Sequence, residues 1–287
     1  MQSIVLGTAQ WGIAYGVTND VGRIDDFSLL DLVQAATALG IIALDTAPAY
    51  GDAEERIRPF ASQFALTTKV SVAGLTVSEV LEALRGSLSR LGVSSVDGCL
   101  VHDWPSLDAS DRNVAAAALA EARDLGLVTA IGISGYQPDD FARGLDSFHS
   151  LDLAQGPLNV LDQRLASSGM LSLLAEAGCR FQARSAFLQG LLLGPGAGRT
   201  PLAEHPDLLR FRASLDGLAV SPLTLCLSYL RSLAGIDSVV VGVTGGGELT
   251  EITSAWAAVW AADPPTIDWA VLASRDLALI DPRTWAR

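Results

Sequence analysis

The chain has 287 residues, 49% of them hydrophobic, which suits one α/β barrel or two smaller domains with a large buried core. Its net charge of −13 argues against nucleic acid or an anionic membrane surface as the main partner. Three cysteines without CxxC spacing predict no disulfide framework and no metal site. Because no segment resembles a signal peptide or reaches the ~18 apolar residues that cross a bilayer, a soluble cytoplasmic protein is expected.

Short β-like runs alternate with helical stretches along the chain. Short apolar runs bounded by turn signals are typical of buried parallel strands, and eight are predicted: 3–8, 41–46, 64–70, 96–102, 128–134, 150–155, 180–185 and 238–243. Helices are predicted over 26–39, 53–60, 78–91, 110–125, 138–145, 161–177, 221–233 and 248–262. A Gly- and Pro-rich loop is predicted over 190–206.

Eight strands with interleaved helices predict a (β/α)₈ TIM barrel. The rival fold, a doubly wound open sheet, usually carries GxGxxG after its first strand, whereas this chain reads GTAQWG there. No internal repeat or low-complexity linker divides the sequence. We therefore expect one domain over 1–287, in which a C-terminal helical tail, 263–287, lies over the barrel.

Four polar side chains stand at or just after the ends of three predicted strands. Asp45 ends the second strand and Tyr50 follows it, Lys69 lies near the end of the third, and His102 ends the fourth. In a barrel these strand ends meet on one face. Each residue alone fits a structural role: a helix N-cap, a half-buried ring, a surface cation or a core imidazole. Their coincidence, and the fact that Lys69 is the only lysine beside 18 arginines, favours one shared site.

These residue types suit proton donation to a carbonyl oxygen. A phenol titrates at about pH 10 in water, so it acts as an acid near neutrality only if its anion is stabilised. A neighbouring ammonium stabilises that anion, a carboxylate holds the ammonium, and an imidazole can hydrogen-bond the substrate oxygen. Because no side chain supplies a hydride, a nicotinamide cofactor is implied.

Over nearly its whole length the chain resembles the aldo-keto reductase family. The matching motifs, in family order, are LGTAQWG at 6–12, LDTAPAYG at 44–51, TTKV at 67–70, LVHDWP at 100–105, IGISGY at 131–136, RSAFLQGLL at 184–192 and VVVGV at 239–243. The resemblance implies a TIM barrel that binds an extended nicotinamide cofactor at its C-terminal face. It also implies a catalytic tetrad in which Tyr50 donates the proton, Lys69 and Asp45 tune it, and His102 orients the carbonyl.

The resemblance also implies a set of cofactor-binding residues: Gly7, Thr8, Asp45, Ser134, Gly135, Gln155, Arg184, Ser185, Leu188, Gly190, Gly242, Val243, Thr244, Gly245, Glu248 and Glu251. Two positions depart from the family pattern. Gly135 stands where an Asn is usual, and Arg184 stands where many members have a Tyr that stacks on the nicotinamide. A planar guanidinium can also stack or reach a phosphate.

The choice between NADP(H) and NAD(H) stays open at this stage. The family resemblance favours NADP(H), whose 2′-phosphate usually meets a Lys or Arg after strand eight. Here a Gly-rich segment leads to Glu248 instead, which favours NAD(H). A preference for NADPH would require a distant arginine, for example Arg199.

Aromatic side chains on the predicted loops suggest an apolar or ring-bearing carbonyl substrate. Trp11 and Trp104, with Tyr50 and His102, are the predicted substrate contacts. Each tryptophan fits core packing equally well. Further aromatic candidates are Tyr15, Tyr136, Phe187, Trp269 and Trp285.

The sequence therefore predicts reversible, NAD(P)H-dependent reduction of an aldehyde or ketone to an alcohol. Two alternatives remain open: an epimerase or lyase that uses bound cofactor transiently, and a cofactor-sensing partner protein. Stoichiometric loss of NAD(P)H absorbance distinguishes the first alternative, and a stable protein partner without turnover would indicate the second. The identity of the small-molecule substrate and the oligomeric state are not predicted.

Overall fold

The computed structural model describes residues 2–194, 200–215 and 220–285, in which eight parallel strands close into a barrel. Each strand pairs with the next one in sequence, and β8 closes the barrel by pairing with β1. The strands are β1 (Ser3–Gly7), β2 (Ala43–Asp45), β3 (Ala65–Val70), β4 (Val96–Val101), β5 (Val128–Ser134), β6 (Leu153–Pro157), β7 (Arg180–Arg184) and β8 (Ser238–Gly242). The predicted (β/α)₈ fold is confirmed.

The helices surround the barrel or line its connections. They are α1 (Ala9–Gly12), α2 (Asp26–Ala38), α3 (Ala53–Ile57), α4 (Val77–Leu91), α5 (Ala109–Asp124), α6 (Pro138–Ser147), α7 (Arg164–Ser167), α8 (Met170–Glu176), α9 (Pro206–Leu215), α10 (Pro222–Ser232), α11 (Gly246–Ala261) and α12 (Leu277–Ile280). None of the helices in the described ranges is long and apolar enough to cross a membrane.

Helix α4 illustrates how the sequence builds an outer helix. It begins at a capping box, in which the Thr76 hydroxyl and the Glu79 carboxylate each accept from the other's backbone N–H. It ends at Gly92, whose φ of 70° is the left-handed conformation that glycine adopts without steric cost. Between these caps, apolar residues such as Leu84 and Leu88 are buried at helical spacing against the barrel.

The largest differences between the structure and the sequence prediction lie in two helical regions. The helix predicted over 161–177 is broken into α7 and α8, because Gly169 between them has a φ of 77°. Helix α9 was not predicted, because it directly follows a Gly- and Pro-rich stretch. Its only helix-start signal in the sequence is Pro206. Residues 195–199 of the predicted loop lie outside the described ranges.

The C-terminal tail returns across the segments that follow β5 and β6. The backbone N–H of Ser274 donates to the carbonyl oxygen of Leu161 at 2.8 Å, and the Gln163 amide donates to the carbonyl oxygen of Trp269 at 2.7 Å. These contacts bring the tail beside the C-terminal ends of the strands, where the predicted site residues lie.

Candidate active site

A buried ion pair joins the ends of β2 and β3. Lys69 Nζ lies 2.8 and 2.7 Å from the two carboxylate oxygens of Asp45 and 3.0 Å from the carbonyl oxygen of Thr46. The two residues are 1% and 3% exposed. A buried ammonium is tolerated when its donors are satisfied and its charge is paired, and here all three donors meet acceptors. The pair is therefore fixed in one geometry.

The phenol of Tyr50 lies against this pair. Its hydroxyl oxygen is 3.4 Å from Lys69 Nζ, and the ammonium lies 5.1 Å from the ring centroid. The imidazole of His102 meets the same ring edge-on, with centroids 6.1 Å apart and planes at 88°. The structure thus brings together the four residues predicted from the ends of the second, third and fourth strands.

Glycine packing holds the loop that carries Tyr50 against α1. A Cβ atom at Gly12 would lie 1.7 Å from the carbonyl oxygen of Tyr50, and one at Gly51 would lie 2.6 Å from the carbonyl oxygen of Gly12. Gly51 also has a φ of 62°. Only glycine allows this close approach of the two backbones.

Burial controls the protonation of the phenol and the ammonium. Burial raises the pKa of the Tyr50 phenol above its ordinary value, and the Lys69 ammonium offsets only part of that rise. The expected net lowering of this pKa is therefore wrong for the isolated site, and Tyr50 is a protonated donor. Burial, the largest influence, lowers the pKa of Lys69, but the charges of Asp45 and Tyr50 and the hydrogen bonds to both together outweigh it and leave the pKa raised, so the ammonium stays charged.

The imidazole of His102 is neutral at physiological pH. Burial, and after it the positive charge of Lys69, lower its pKa to about 4. A neutral imidazole can donate one hydrogen bond to a substrate oxygen without carrying a charge.

A cavity of about 650 Å³ extends from Tyr50 to the N-terminus of α11. This volume lies within the range of roughly 300–1,000 Å³ that small-molecule sites occupy. Most of the predicted cofactor-binding residues line it: Gly7, Thr8, Asp45, Gln155, Arg184, Ser185, Gly190, Gly242, Val243, Thr244, Glu248 and Glu251. Two of the further aromatic candidates, Tyr15 and Phe187, line it as well.

Other predicted residues lie near the cavity without lining it. Ser134 and Gly135 lie at the end of β5, Leu188 is fully buried, and Gly245 precedes the first turn of α11. Arg199 lies outside the described part of the chain.

The structure does not bring the two predicted substrate-contacting tryptophans to the cavity. Trp11 and Trp104 are both fully buried in the core. The turn after β4 directs Trp104 under α6, where its indole N–H donates to the carbonyl oxygen of Asp140 at 2.7 Å and its ring packs on Phe148. Trp11 lies in α1, which folds back against α3. Both side chains are core packing in this structure.

Two cavity residues, Gln10 and Gln189, were not identified from the sequence. The side-chain oxygen of Gln10 is buried and has no hydrogen-bond partner among the described residues, although its place inside LGTAQWG gave a signal. Gln189 accepts from the backbone N–H of Val17 at 3.2 Å, and its carbonyl oxygen accepts from the Thr18 hydroxyl at 3.0 Å. These bonds tie the loop after β1 to the loop after β7, a contact across 172 residues of sequence that no local pattern announces.

The polar groups along the cavity fit a nicotinamide dinucleotide. Both amide protons of Gln155 are engaged, by Asp45 Oδ1 at 2.6 Å and Gln182 Oε1 at 3.1 Å, which leaves its oxygen as an acceptor. The unpartnered oxygen of Gln10 is a second acceptor. At the far end, the Glu248 carboxylate already accepts from the backbone N–H of Thr244, and the remaining backbone N–H groups of the Gly-rich turn before α11 suit oxygen atoms of the pyrophosphate. Acceptors for amide and hydroxyl donors and donors for phosphate are thus all present.

The guanidinium of Arg184 extends from the end of β7 to the end of β5. Its Nη2 donates to the carbonyl oxygen of Gly135 at 3.1 Å, and its Nη1 lies 3.4 Å from the Ser185 hydroxyl. It lies over the ring of Tyr136, 4.1 Å from the centroid, and the guanidinium of Arg283 from the tail lies 3.7 Å from the same centroid. The tail therefore reaches the border of the cavity.

A family model described as the aldo/keto reductase family matches residues 3–263. An aldo-keto reductase of Mycolicibacterium vanbaalenii is 29% identical over 70% of this chain and 75% of that protein. A protein of Escherichia coli K12 described as an NADH-specific methylglyoxal reductase is 24% identical over 87% of this chain and 89% of its own length. The holo form of an aldo-keto reductase from Bacillus halodurans shares the fold, with a TM-score of 0.75 at 20% identity over 99% of this chain and 95% of that one.

Proposed function

Because the chain belongs to the aldo/keto reductase family, we propose that Tyr50 donates the proton when this NAD(P)H-dependent oxidoreductase reduces an aldehyde or ketone. The observation that carries the proposal is the contact of the Tyr50 hydroxyl with Lys69 Nζ at 3.4 Å, backed by the buried Asp45 carboxylate. A charged ammonium next to a buried phenol is the arrangement that stabilises a phenolate as it forms.

A nicotinamide cofactor held in this cavity would supply the hydride for the carbonyl carbon, and its oxidised form would accept the hydride in the reverse direction. Tyr50 gives its proton to the carbonyl oxygen as negative charge develops there. Lys69 stabilises the resulting phenolate, and Asp45 keeps the ammonium charged and in place. The neutral imidazole of His102 donates a hydrogen bond to the same oxygen and orients the carbonyl. In the oxidative direction the phenolate accepts the proton of the alcohol.

We assign the cofactor's parts to different ends of the cavity. Gln155, with Ser134, Gly135 and Arg184, borders the nicotinamide, and Gly7 and Thr8 border it from β1. The remaining proposed contacts serve the phosphates, the ribose and the adenine: Ser185, Leu188, Gly190, Gly242, Val243, Thr244, Gly245, Glu248 and Glu251. Gln10 joins this set because of its unpartnered oxygen in the cavity.

Replacement of Tyr50 by Phe tests the proton donor. Loss of general acid catalysis should lower kcat by about 100- to 10,000-fold, while NADH binding stays within about twofold of the parent protein. NAD(P)H oxidation with methylglyoxal as the first probe, together with a fluorescence titration of NADH, measures both quantities. Tyr229→Phe is the matched control, because the hydroxyl of Tyr229 is buried in the core and has no hydrogen-bond partner among the described residues. Tyr50→Phe turnover equal to that of the control would remove Tyr50 from the mechanism.

We further propose that the enzyme prefers NADH to NADPH. The carboxylate of Glu248 accepts from the backbone N–H of Thr244 at 2.6 Å and from its hydroxyl at 3.0 Å, so a negative charge is fixed at the start of α11. A 2′-phosphate near this carboxylate would be repelled, whereas a ribose hydroxyl can donate to it. Among the described residues that line the cavity, Arg184 is the only arginine or lysine, and it lies at the other end.

The ratio of kcat/KM for NADH to that for NADPH tests this preference. We expect a ratio of at least about tenfold in the parent protein, and a several-fold gain in NADPH affinity for Glu248→Gln, which keeps an acceptor but loses the charge. Glu121→Gln, on the exposed face of α5, makes the same change of net charge far from the cavity. A parent protein that favours NADPH would contradict the proposed role of Glu248.

A further inference from the structure

Arg184 is a cavity-lining cation without an anionic partner. Within the described ranges, no carboxylate lies within 4.0 Å of its guanidinium, and its two hydrogen-bond partners are the neutral oxygens of Gly135 and Ser185. A guanidinium has five N–H donors in a planar fork. Most of the donors of this half-buried side chain therefore have no acceptor among the described residues.

The arginines beside Arg184, in contrast, are paired with carboxylates. Arg164 makes two hydrogen bonds of 2.7 Å to the carboxylate of Asp162, and Arg283 makes two of 2.9 and 2.6 Å to Asp281. The chain has 32 acidic residues against 19 basic ones. Although carboxylates are abundant in this chain, none among the described residues pairs with Arg184. An unpaired arginine in a cavity is suited to bind an external anion.

The direction of the Arg184 side chain points to the substrate end of the cavity. Its Nη2 passes across β6 to reach the residue that follows β5. The start of α11, which we assign to the phosphates, follows β8 on the opposite side of β7. Burial has the largest effect on the pKa values of Tyr50 and His102, raising the first and lowering the second, but the charges of Lys69 and then Arg184 lower both, so Arg184 lies near the reacting groups.

Tyr136 fixes the plane of this guanidinium. The guanidinium carbons of Arg184 and Arg283 lie 4.1 and 3.7 Å from the centroid of the Tyr136 ring. Each face of the ring has room for one guanidinium at such a distance, so the ring lies between the two arginines. Stacking of this kind orients the fork while its N–H edge stays free. Since Arg283 belongs to the tail, the tail helps to position Arg184.

We propose that Arg184 binds a carboxylate of the substrate, so that the preferred substrates are aldehydes or ketones that carry one carboxylate at a distance from the carbonyl. The inference rests on the proposed function. Asp45 neutralises Lys69 and Asp281 neutralises Arg283, so Arg184 is the cation at this end of the cavity that no contacting carboxylate among the described residues neutralises. One charge matches a monoanionic carboxylate and not a phosphate dianion. The substrate class expected from the sequence, an apolar or ring-bearing carbonyl compound, is thus refined to one that also carries a carboxylate.

Matched substrates test this inference. 4-Formylbenzoate and succinic semialdehyde are each compared with the corresponding carboxamide, which has the same shape without the charge. In the parent protein, kcat/KM should favour the carboxylate by about 10- to 100-fold, as expected of a charge-assisted hydrogen-bonded pair. Arg184→Gln should bring this ratio to about one, and Arg184→Lys, which keeps the charge without the fork, should give an intermediate value.

Arg180→Gln is the matched control, because Arg180 is the exposed residue at the opposite end of the same strand. It should leave the ratio unchanged. Binding to Tyr50→Phe with NADH bound gives a second readout, in which 4-formylbenzoate should bind more tightly than its carboxamide by a similar factor without turnover.

Three results would overturn the inference. The first is a carboxylate-to-carboxamide ratio at or below one in the parent protein. The second is an Arg184→Gln variant that loses activity equally on both members of a pair while its NADH affinity falls, which would assign Arg184 to the cofactor phosphates. The third is absence of turnover on every aldehyde together with equal binding of carboxylate and carboxamide. Turnover of the carboxamides alone would leave the proposed function intact and remove only the carboxylate.

Discussion

At the scale of single residues, the site depends on how burial shifts three pKa values: it raises that of Tyr50 and lowers those of His102 and Lys69. Burial keeps Tyr50 protonated and His102 neutral, whereas the contact with Asp45 keeps Lys69 charged. The phenol therefore has a proton to give, and the charge that stabilises its anion is already in place. No step of proton donation requires the surrounding side chains to change their protonation first.

His102 makes the stability of the fold depend on pH. Its pKa lies near 4 in the folded protein, below the ordinary 6.5, so its contribution to stability is fully present above pH 6.5 and is lost as the pH falls towards 4. Between pH 6.5 and 5 the free energy of unfolding should fall by roughly 1.5 kcal/mol more in the parent protein than in His102→Gln, with a slope that approaches about 1.4 kcal/mol per pH unit.

Urea unfolding at a series of pH values measures this difference. His149→Gln is the control, because His149 is exposed on the loop before β6. Parallel stability curves for the parent protein and His102→Gln would show that the imidazole is not protected from protonation by folding.

At the scale of elements, the short helix α1 and the loop after β2 form one unit. Gly12 and Gly51 allow the two backbones to touch, and the Tyr50 carbonyl oxygen occupies the space that a Cβ of Gly12 would take. The position of the phenol is therefore set partly by a residue on another strand's connection, 38 positions away in the sequence.

Gly12→Ala should displace the loop that carries Tyr50. The added methyl group would overlap backbone atoms, which cannot move as the tip of a side chain can, so we expect a loss of about 1–3 kcal/mol in stability and a fall in kcat of at least about tenfold. Gly86→Ala in α4 is the control, because its Cβ would meet only the tip of Arg90 at 3.4 Å. Thermal unfolding and NADH oxidation measure the two effects, and unchanged kcat in a destabilised Gly12→Ala protein would disconnect this glycine from the position of Tyr50.

The sequence predicts those elements whose signals are local. The strand over 128–134 was predicted with the bounds of β5, since an apolar run there is closed on both sides by turn residues. The tetrad followed because strand ends share one face. The burial of Trp11 and Trp104 and the bridge from Gln189 to the β1 loop depend on contacts between distant segments. A pattern of neighbouring residues carries no information about them.

At the scale of the whole molecule, an acidic protein binds an anionic cofactor. The net charge of −13 contrasts with the positive charges of Lys69 and Arg184 in and beside the cavity. Long-range repulsion should therefore oppose the approach of an anionic nicotinamide dinucleotide, and short-range donors and cations would hold it after arrival.

Ionic strength should accordingly speed up the association of NADH. Raising the salt concentration from about 0.01 to 0.15 M shortens the Debye length from about 30 to 8 Å, which screens the net charge but leaves contacts inside the cavity largely intact. Stopped-flow measurement of NADH binding should show an association rate constant that rises about two- to fivefold. A rate constant that falls with salt would mean that the local potential at the cavity mouth is positive despite the net charge.

The single lysine has a consequence beyond catalysis. A protease that cuts only after lysine has one target in the entire chain, the bond between Lys69 and Val70, and both residues are buried in β3. The barrel has to open at its third strand before that bond can enter a protease, so the rate of cleavage follows the population of the opened state. Cleavage at this single site therefore reports the unfolding of the protein. The residue that reports it, Lys69, is also the cation that stabilises the anion of the Tyr50 phenol.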